Sequence, residues 1–222
     1  MLRHALLTAL IATPLFTGSA VAQVWDAPLF FSPRPMDDIG LYYVRSNDAF
    51  FGQDVSGLKA IWRQSGNINL GVHAGIGDLE EAGETILVGA ELSNPLSNMS
   101  ATTGLIMSWH LGAGAIFGDD YVQLGIPLGV SLGLNLGSGG STTILPYAHP
   151  RVSFDLVAVE FGDEEETETD FGFAVDLGID VNLGQRFVLK AAYTLGTEND
   201  FGQRDAFGIG AALRIPRRVV VR

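Results

Sequence analysis

A strict alternation of apolar and small polar residues constrains this chain more than any other feature. Val122, Leu124, Ile126, Leu128, Val130, Leu132, Leu134 and Leu136 take every second position, with Gln123, Gly125, Pro127, Gly129, Ser131, Gly133 and Asn135 between them. Successive strand side chains point to opposite faces, so a period of two gathers the aliphatic residues on one side of a sheet. The pattern recurs over 68–76, 105–115, 171–181, 187–195 and 207–215, and weaker versions fit 37–46, 55–64, 84–92 and 144–159. These stretches predict ten antiparallel strands, with eight as the alternative, and no long amphipathic helix. Pro127 lacks the N–H that a central strand needs, which predicts a bulge or a local break at that point.

Strand length and face chemistry decide where the apolar side points. Strands of soluble domains usually run five or six residues, whereas a tilted strand that crosses a bilayer needs about 9–11. Most of these stretches have the longer length. Their second face is Gly, Ser, Asn and Thr with few charges, which suits the interior of a membrane barrel better than the wetted exterior of a soluble one. Trp62, Phe117, Tyr121, Phe161, Phe171, Phe173, Phe187 and Phe207 lie near predicted strand ends, where barrels carry interfacial aromatic girdles. The expected fold is all-β: an antiparallel up-and-down transmembrane β-barrel over 37–215. Short turns are expected at 65–67 and 182–185, and longer polar loops at 46–54, 160–170 and 196–205.

The flanking segments read differently. Residues 1–22 have a basic start at Arg3, an apolar stretch broken by Pro14, and small residues at Ala20 and Ala22. That is the layout of a secretory signal peptide cleaved after Ala22. A Pro-rich lead follows over 23–36, and a tail over 216–222 closes the chain.

Composition removes several classes of activity. Asp and Glu number 25 against 13 Lys and Arg, a net charge of −12, which disfavours nucleic acid, whose phosphates are held by basic side chains. There is no cysteine, hence no disulfide, thiolate metal site or cysteine nucleophile. No phosphate loop, dinucleotide fingerprint or zinc motif is present, and no cofactor is expected.

Candidate functional residues lie on the predicted inner face: Lys59, Arg63, His73, Glu91, His110, His149, Arg151, Asp176, Asp180 and Lys190, with Asp155 and Arg214 beside them. His73, His110 and His149 fall at similar depth on alternate strands. A ten-stranded barrel is on the order of 20 Å across, so a compact metal site needs their side chains to converge, and polar filling is the plainer role. Asp180 and Lys190 face each other across a hairpin, offset by one pair, which permits an ion pair. Ser108 and His110 share a face, two residues apart, as a nucleophile and its base would. The acid that would orient the base, Glu91, is expected near the inner end, far below His110. The inner-face glycines at 71, 75, 112, 114, 125, 129 and 133 leave volume that favours an open lumen, or else relieve crowding in a curved sheet. The acidic run over 163–170 reads as a solvated loop, with weak Ca²⁺ or Mg²⁺ binding as its alternative use.

Leu145-Pro146-Tyr147 opening a strand, Phe171 to Asp180 with its Gly-x-Asp ending, and the closing Phe207-Gly208-Ile209-Gly210 resemble the small bacterial outer-membrane β-barrel proteins (porin-like, OmpA/OmpW-like barrels). The resemblance implies an outer-membrane location in a Gram-negative bacterium, contact with membrane lipid and lipopolysaccharide, and insertion by the outer-membrane assembly machinery. Members usually end in an aromatic residue, whereas this chain runs on from Ile215 through Pro216-Arg217-Arg218 to Arg222. The expected role is structural, or a small passive pore for ions or small solutes, without catalysis. The alternatives are an outer-membrane lipid-modifying acyl-ester hydrolase and a secreted ligand-binding barrel.

Overall fold

Ten stretches of alternating residues become ten strands: β1 (Asp38–Phe50), β2 (Gln53–Gln64), β3 (Asn69–Leu79), β4 (Gly83–Pro95), β5 (Leu105–Phe117), β6 (Tyr121–Leu134), β7 (Thr142–Phe161), β8 (Glu164–Leu183), β9 (Phe187–Gly196) and β10 (Asp205–Arg214). The computed structural model describes residues 29–34, 36–50, 53–79, 83–96, 104–119, 121–137, 142–161, 164–196 and 205–216. No helix occurs among them. The predicted signal peptide and Arg217–Arg222 of the tail lie outside the described residues.

Every strand pairs antiparallel with its neighbours in sequence, and β1 pairs with β10 as well as with β2. The sheet is therefore a closed up-and-down barrel. Closure satisfies the row of N–H and C=O groups that an edge strand would leave open. Because the strand number is even, β1 begins and β10 ends at one rim, called here the terminal rim; the β1–β2 connection lies at the distal rim.

Two sequence expectations are corrected. The polar stretch expected as a loop over 46–54 is mostly strand, since β1 reaches Phe50 and β2 starts at Gln53, with a register shift between Ser46 and Phe50. The loop expected over 160–170 is also mostly strand. β7 extends to Phe161 and β8 begins at Glu164, so Glu166 pairs with Val159 and Glu168 with Val157. Thr167 and Thr169 interrupt the acids, and the partner strand supplies β-branched residues, so strand propensity wins over the charge. At Pro127 the ladder breaks without a bulge. Pairing of β5 with β6 jumps from Leu111–Leu128 to Gly114–Gly125 and keeps its register.

The barrel is inside-out relative to a soluble domain. Ile39, Leu41, Leu58, Ile76, Ile86, Leu128, Ile179 and Ile209 are exposed on the outer wall, while Asp38, Lys59, His73, Glu91, Arg151 and Asp176 are buried within. Aromatic residues sit at two levels. Trp62 and Phe187 lie near the terminal rim, opposite Ile39 and Leu213; Tyr43, Tyr193 and Phe207 lie farther up the wall. The Tyr43 and Phe207 ring centroids are 6.1 Å apart.

Inner-face glycines are filled by their neighbours. Tyr147 pairs with Gly178 across β7 and β8 and folds its ring over the bare Cα, where a Cβ would collide with it. Tyr42 covers its partner Gly210 in the same way across β1 and β10. The Gly178→Ala change should therefore displace Tyr147 and cost about 1–3 kcal/mol, the usual range for overpacking. A lower urea midpoint for the refolded barrel in detergent is the expected readout; an unchanged midpoint would remove this role for the glycine.

Candidate functional site

The inner wall carries charges that must find partners, because burial without compensation is costly. The structure places all ten inner-face candidates inside the barrel: His73, His110, His149, Lys59, Glu91, Arg151, Asp176, Asp180 and Lys190 are buried, and Arg63 is partly buried. Eight of them form three clusters. On β2–β4, the Arg63 Nε donates to Glu91 Oε1 at 2.6 Å, and His73 Nε2 lies 2.6 Å from Glu91 Oε2. Lys59 stands in the field of the same carboxylate. On β7–β9, Arg151 meets Asp176 at 3.2 Å, and Thr194 Oγ1 donates to Asp176 Oδ1 at 2.7 Å. At the seam, Lys190 Nζ lies 3.3 Å from Asp38 and 4.0 Å from Asp180, and Arg214 donates to Asn182.

Two positions differ from the sequence expectation. Glu91 is not far below His110: it pairs with Gly112, and Ser93 pairs with His110, so the carboxylate sits at the depth of the histidines. Asp180 and Lys190 are direct cross-strand partners rather than offset by one pair. Both errors arise from placing β-turns by composition, where one residue of slip moves a partner along the ladder.

The lumen is occupied by the chain itself. Leu29, Phe30, Phe31 and Ser32, from the Pro-rich lead, are buried inside the barrel. Phe31 sits among the three histidines, stacked on His110 (centroids 4.6 Å, interplanar 12°) and edge-on to His149 (5.0 Å) and His73 (6.4 Å). Phe30 points the other way, against Tyr42 (4.3 Å), in a cluster with Val44, Ile61 and Ala192. Leu29 packs with Phe31 against Leu87 and Ile116. Two wall residues also bind the backbone of the lead: Ser131 Oγ donates to the Phe31 carbonyl at 2.5 Å, and Arg63 donates to the Leu29 carbonyl at 3.2 Å. Beneath the lead remains a cavity of about 20 Å³ lined by Ser32, Arg63, Glu91, Ser93, Ser108 and His110, room for about one water.

Sequence reasoning treated this lead as lying before the barrel and missed its role. The signal was present: three large apolar residues, Leu29-Phe30-Phe31, between Pro28 and Pro33, preceding a barrel whose inner face is too small to fill itself. The inner-face glycines thus do not leave an open lumen. A Cβ at Gly208 would meet Phe30, and one at Gly133 would meet Pro33.

The histidines converge more than their backbone spacing implies, with His110 and His149 centroids 5.2 Å apart, because Gly129 lies between them and leaves room for the His149 ring. Among the described residues no group of three or more His, Asp or Glu side chains is arranged to hold a metal ion. Ser108 Oγ and His110 Nε2 are in contact at 2.7 Å, the first requirement of a nucleophile and its base. His110 Nδ1, however, has no hydrogen-bond partner among the described residues, so the group that would orient the base is missing. The stacked Phe31 ring also covers the imidazole face.

No family model matches the sequence, and no curated protein matches it. Among solved structures the chain is similar to the N-terminal β-barrel domain of Pseudomonas aeruginosa OprF, with 9% identity, a TM-score of 0.38 and coverage of 82% of this chain and 100% of that one. It is also similar to Ail, the attachment invasion locus protein of Yersinia pestis, with 14% identity, a TM-score of 0.38 and coverage of 80% and 96%. Neisserial surface protein A gives 12% identity, a TM-score of 0.36 and coverage of 80% and 94%. Likeness of this order carries no functional argument.

The Arg63–Glu91–His73 cluster predicts a graded response to substitution. Glu91→Ala leaves Arg63 without its carboxylate in the interior and should cost about 3–5 kcal/mol. Asp54→Ala, which breaks the exposed Arg45–Asp54 pair at the distal rim, should cost less than about 1 kcal/mol. Urea midpoints of the two refolded variants test this, and equal costs would contradict the buried placement of Glu91.

Proposed function

We propose that this chain is an integral barrel of the bacterial outer membrane, closed at rest by its own N-terminal lead and serving a structural rather than an enzymatic role. The observation that carries the reading is the lead in the lumen, gripped through two backbone carbonyls and two aromatic rings. The apolar outer wall supports the membrane location, since a soluble barrel would expose that surface to water at a cost of roughly 25 cal/mol per Å². The aromatic residues near both ends of the wall fit interfacial placement. On this reading residues 1–22 direct export, the outer-membrane assembly machinery inserts the barrel, and its side partners are lipid and lipopolysaccharide.

The passive-pore alternative needs a continuous aqueous path, which the lead and the paired charges oppose. Hydrolysis of acyl esters is disfavoured because Ser108 faces the lumen, away from lipid, and its base has no orienting acid among the described residues. Conductance separates the first two readings. Residues 23–222, refolded in detergent and inserted in a planar bilayer, should show no discrete steps, while heat-modifiable gel mobility verifies folded barrel in the same sample. Steady single-channel steps from the unmodified chain would overturn the closed-barrel reading.

A further inference from the structure

We infer that the lumen is a peptide-recognition site for a tightly turned segment with two adjacent aromatic residues, and that residues 29–33 are its resident, exchangeable ligand. The inference rests on the closed-barrel reading and adds a ligand class to the same interior. Recognition is divided between opposite walls. One wall holds an aromatic ring in the cage of His73, His110 and His149; the other holds the preceding ring against Tyr42, above Gly208. Ser131 and Arg63 read successive odd-numbered carbonyls, those of Phe31 and Leu29, which any peptide of this shape would present. Ser131 is itself set by His149, whose Nδ1 lies 2.8 Å from its Oγ. The far nitrogen of each ring, His110 Nδ1 and His149 Nε2, has no hydrogen-bond partner among the described residues. The cage therefore holds its ligand by ring contact rather than by hydrogen bonds from these nitrogens.

The resident segment is held under strain. Phe30 has a φ of 54°, a left-handed conformation that is an outlier for a bulky residue. Ser32 N–H donates to the Phe30 carbonyl at 2.9 Å, forming a tight turn around Phe31. These two features throw consecutive rings against opposite walls. The resident thus gives up part of its binding energy to backbone distortion, while its covalent tether supplies a high effective concentration. A free segment of the same chemistry competes once the tethered rings are weakened.

The test uses the full chain, its reporter an introduced cysteine, since the sequence has none of its own. Ser108, buried and in contact with His110, the ring on which Phe31 stacks, is changed to Cys and probed with a maleimide in detergent. The ligand is a fluorescent peptide copying residues 27–34. In the otherwise native chain the thiol should be shielded and the peptide should bind weakly. With Phe30→Ala and Phe31→Ala together, the thiol should react, the peptide should shield it again, and affinity should rise roughly tenfold or more. A peptide with both phenylalanines replaced by alanine should lose that gain.

A reactive thiol in the native chain would overturn the closed-barrel reading and this inference with it. A thiol shielded in the native chain and reactive in the variant, with no protection by the peptide, would overturn this inference alone. Equal binding of the alanine peptide would do the same. The Phe31→Ala variant, which keeps Phe30 against Tyr42, replaces the double variant if that one does not fold, with the same readouts.

Discussion

Closing a ten-stranded sheet with its apolar face outward forces charge into a narrow interior, and most of the inner architecture follows from pairing it. On the inner wall Lys59, Arg63, Arg151, Lys190 and Arg214 confront Asp38, Glu91, Asp155, Asp176 and Asp180. Two of these pairs join strands that are not neighbours. Arg63 on β2 reaches Glu91 on β4 across β3, and Lys190 on β9 reaches Asp38 on β1 across β10. The residue passed over is small in each case. Gly71 is the cross-strand partner of Glu91, and a Cβ there would collide with the glutamate side chain; Gly210 is the partner of Lys190. His149 approaches His110 over Gly129 by the same device. Inner-face glycine is thus a passage for long side chains around the wall, a use of close approach that any larger residue would block.

That use of glycine leaves a second demand. Charge pairing is completed around the wall, but the centre of the barrel still needs filling, because a void beside buried polar groups forfeits contacts on every side. Leu29, Phe30 and Phe31 of the lead supply the missing volume with uncharged side chains. The lead's rings meet imidazole and phenol as well as aliphatic groups, and its carbonyls accept hydrogen bonds from Arg63 and Ser131, which also satisfies those donors. Plugging and charge neutralisation are therefore one structure. Arg63 serves both, holding Glu91 with Nε and the Leu29 carbonyl with another nitrogen.

Much of the fold was legible from side-chain period alone. The alternation over Val122–Leu134 sets the outer and inner faces of β6, and the same rule assigned Lys59, His73, Glu91 and Asp176 to the interior before any contact was known. Strand ends were less legible. At Glu164–Thr169 a charge run reads as a solvated loop, yet register with Val157 and Val159 extends the ladder through it, a tertiary effect that local composition does not carry. The depth of Glu91 failed for a related reason, since one residue at a turn shifts every partner beyond it. The lead was the largest omission. Leu29-Phe30-Phe31 has no period to read, and its place depends on a cavity that exists only once ten strands have closed.

The distribution of charge bears on conduction as well as on folding. The whole chain carries −12, while the inner-wall groups named above set five bases against five acids. The acidic excess consequently lies outside them, and part of it is the run of Glu164, Glu165, Glu166 and Glu168 on β8. A pore that selects ions keeps charge facing its water-filled path, since an ion leaving bulk solvent must be met by an opposite field. Here Asp38, Glu91, Asp176 and Asp180 already face guanidinium, ammonium or imidazole groups at 2.6–4.0 Å. An entering ion would have to displace a partner that is itself buried, and breaking such a pair is costly. Removal of the lead would thus open space in the barrel without freeing a row of charges. What the opened lumen would offer is aromatic and imidazole surface with two carbonyl-binding donors, chemistry suited to a segment of polypeptide rather than to a stream of ions.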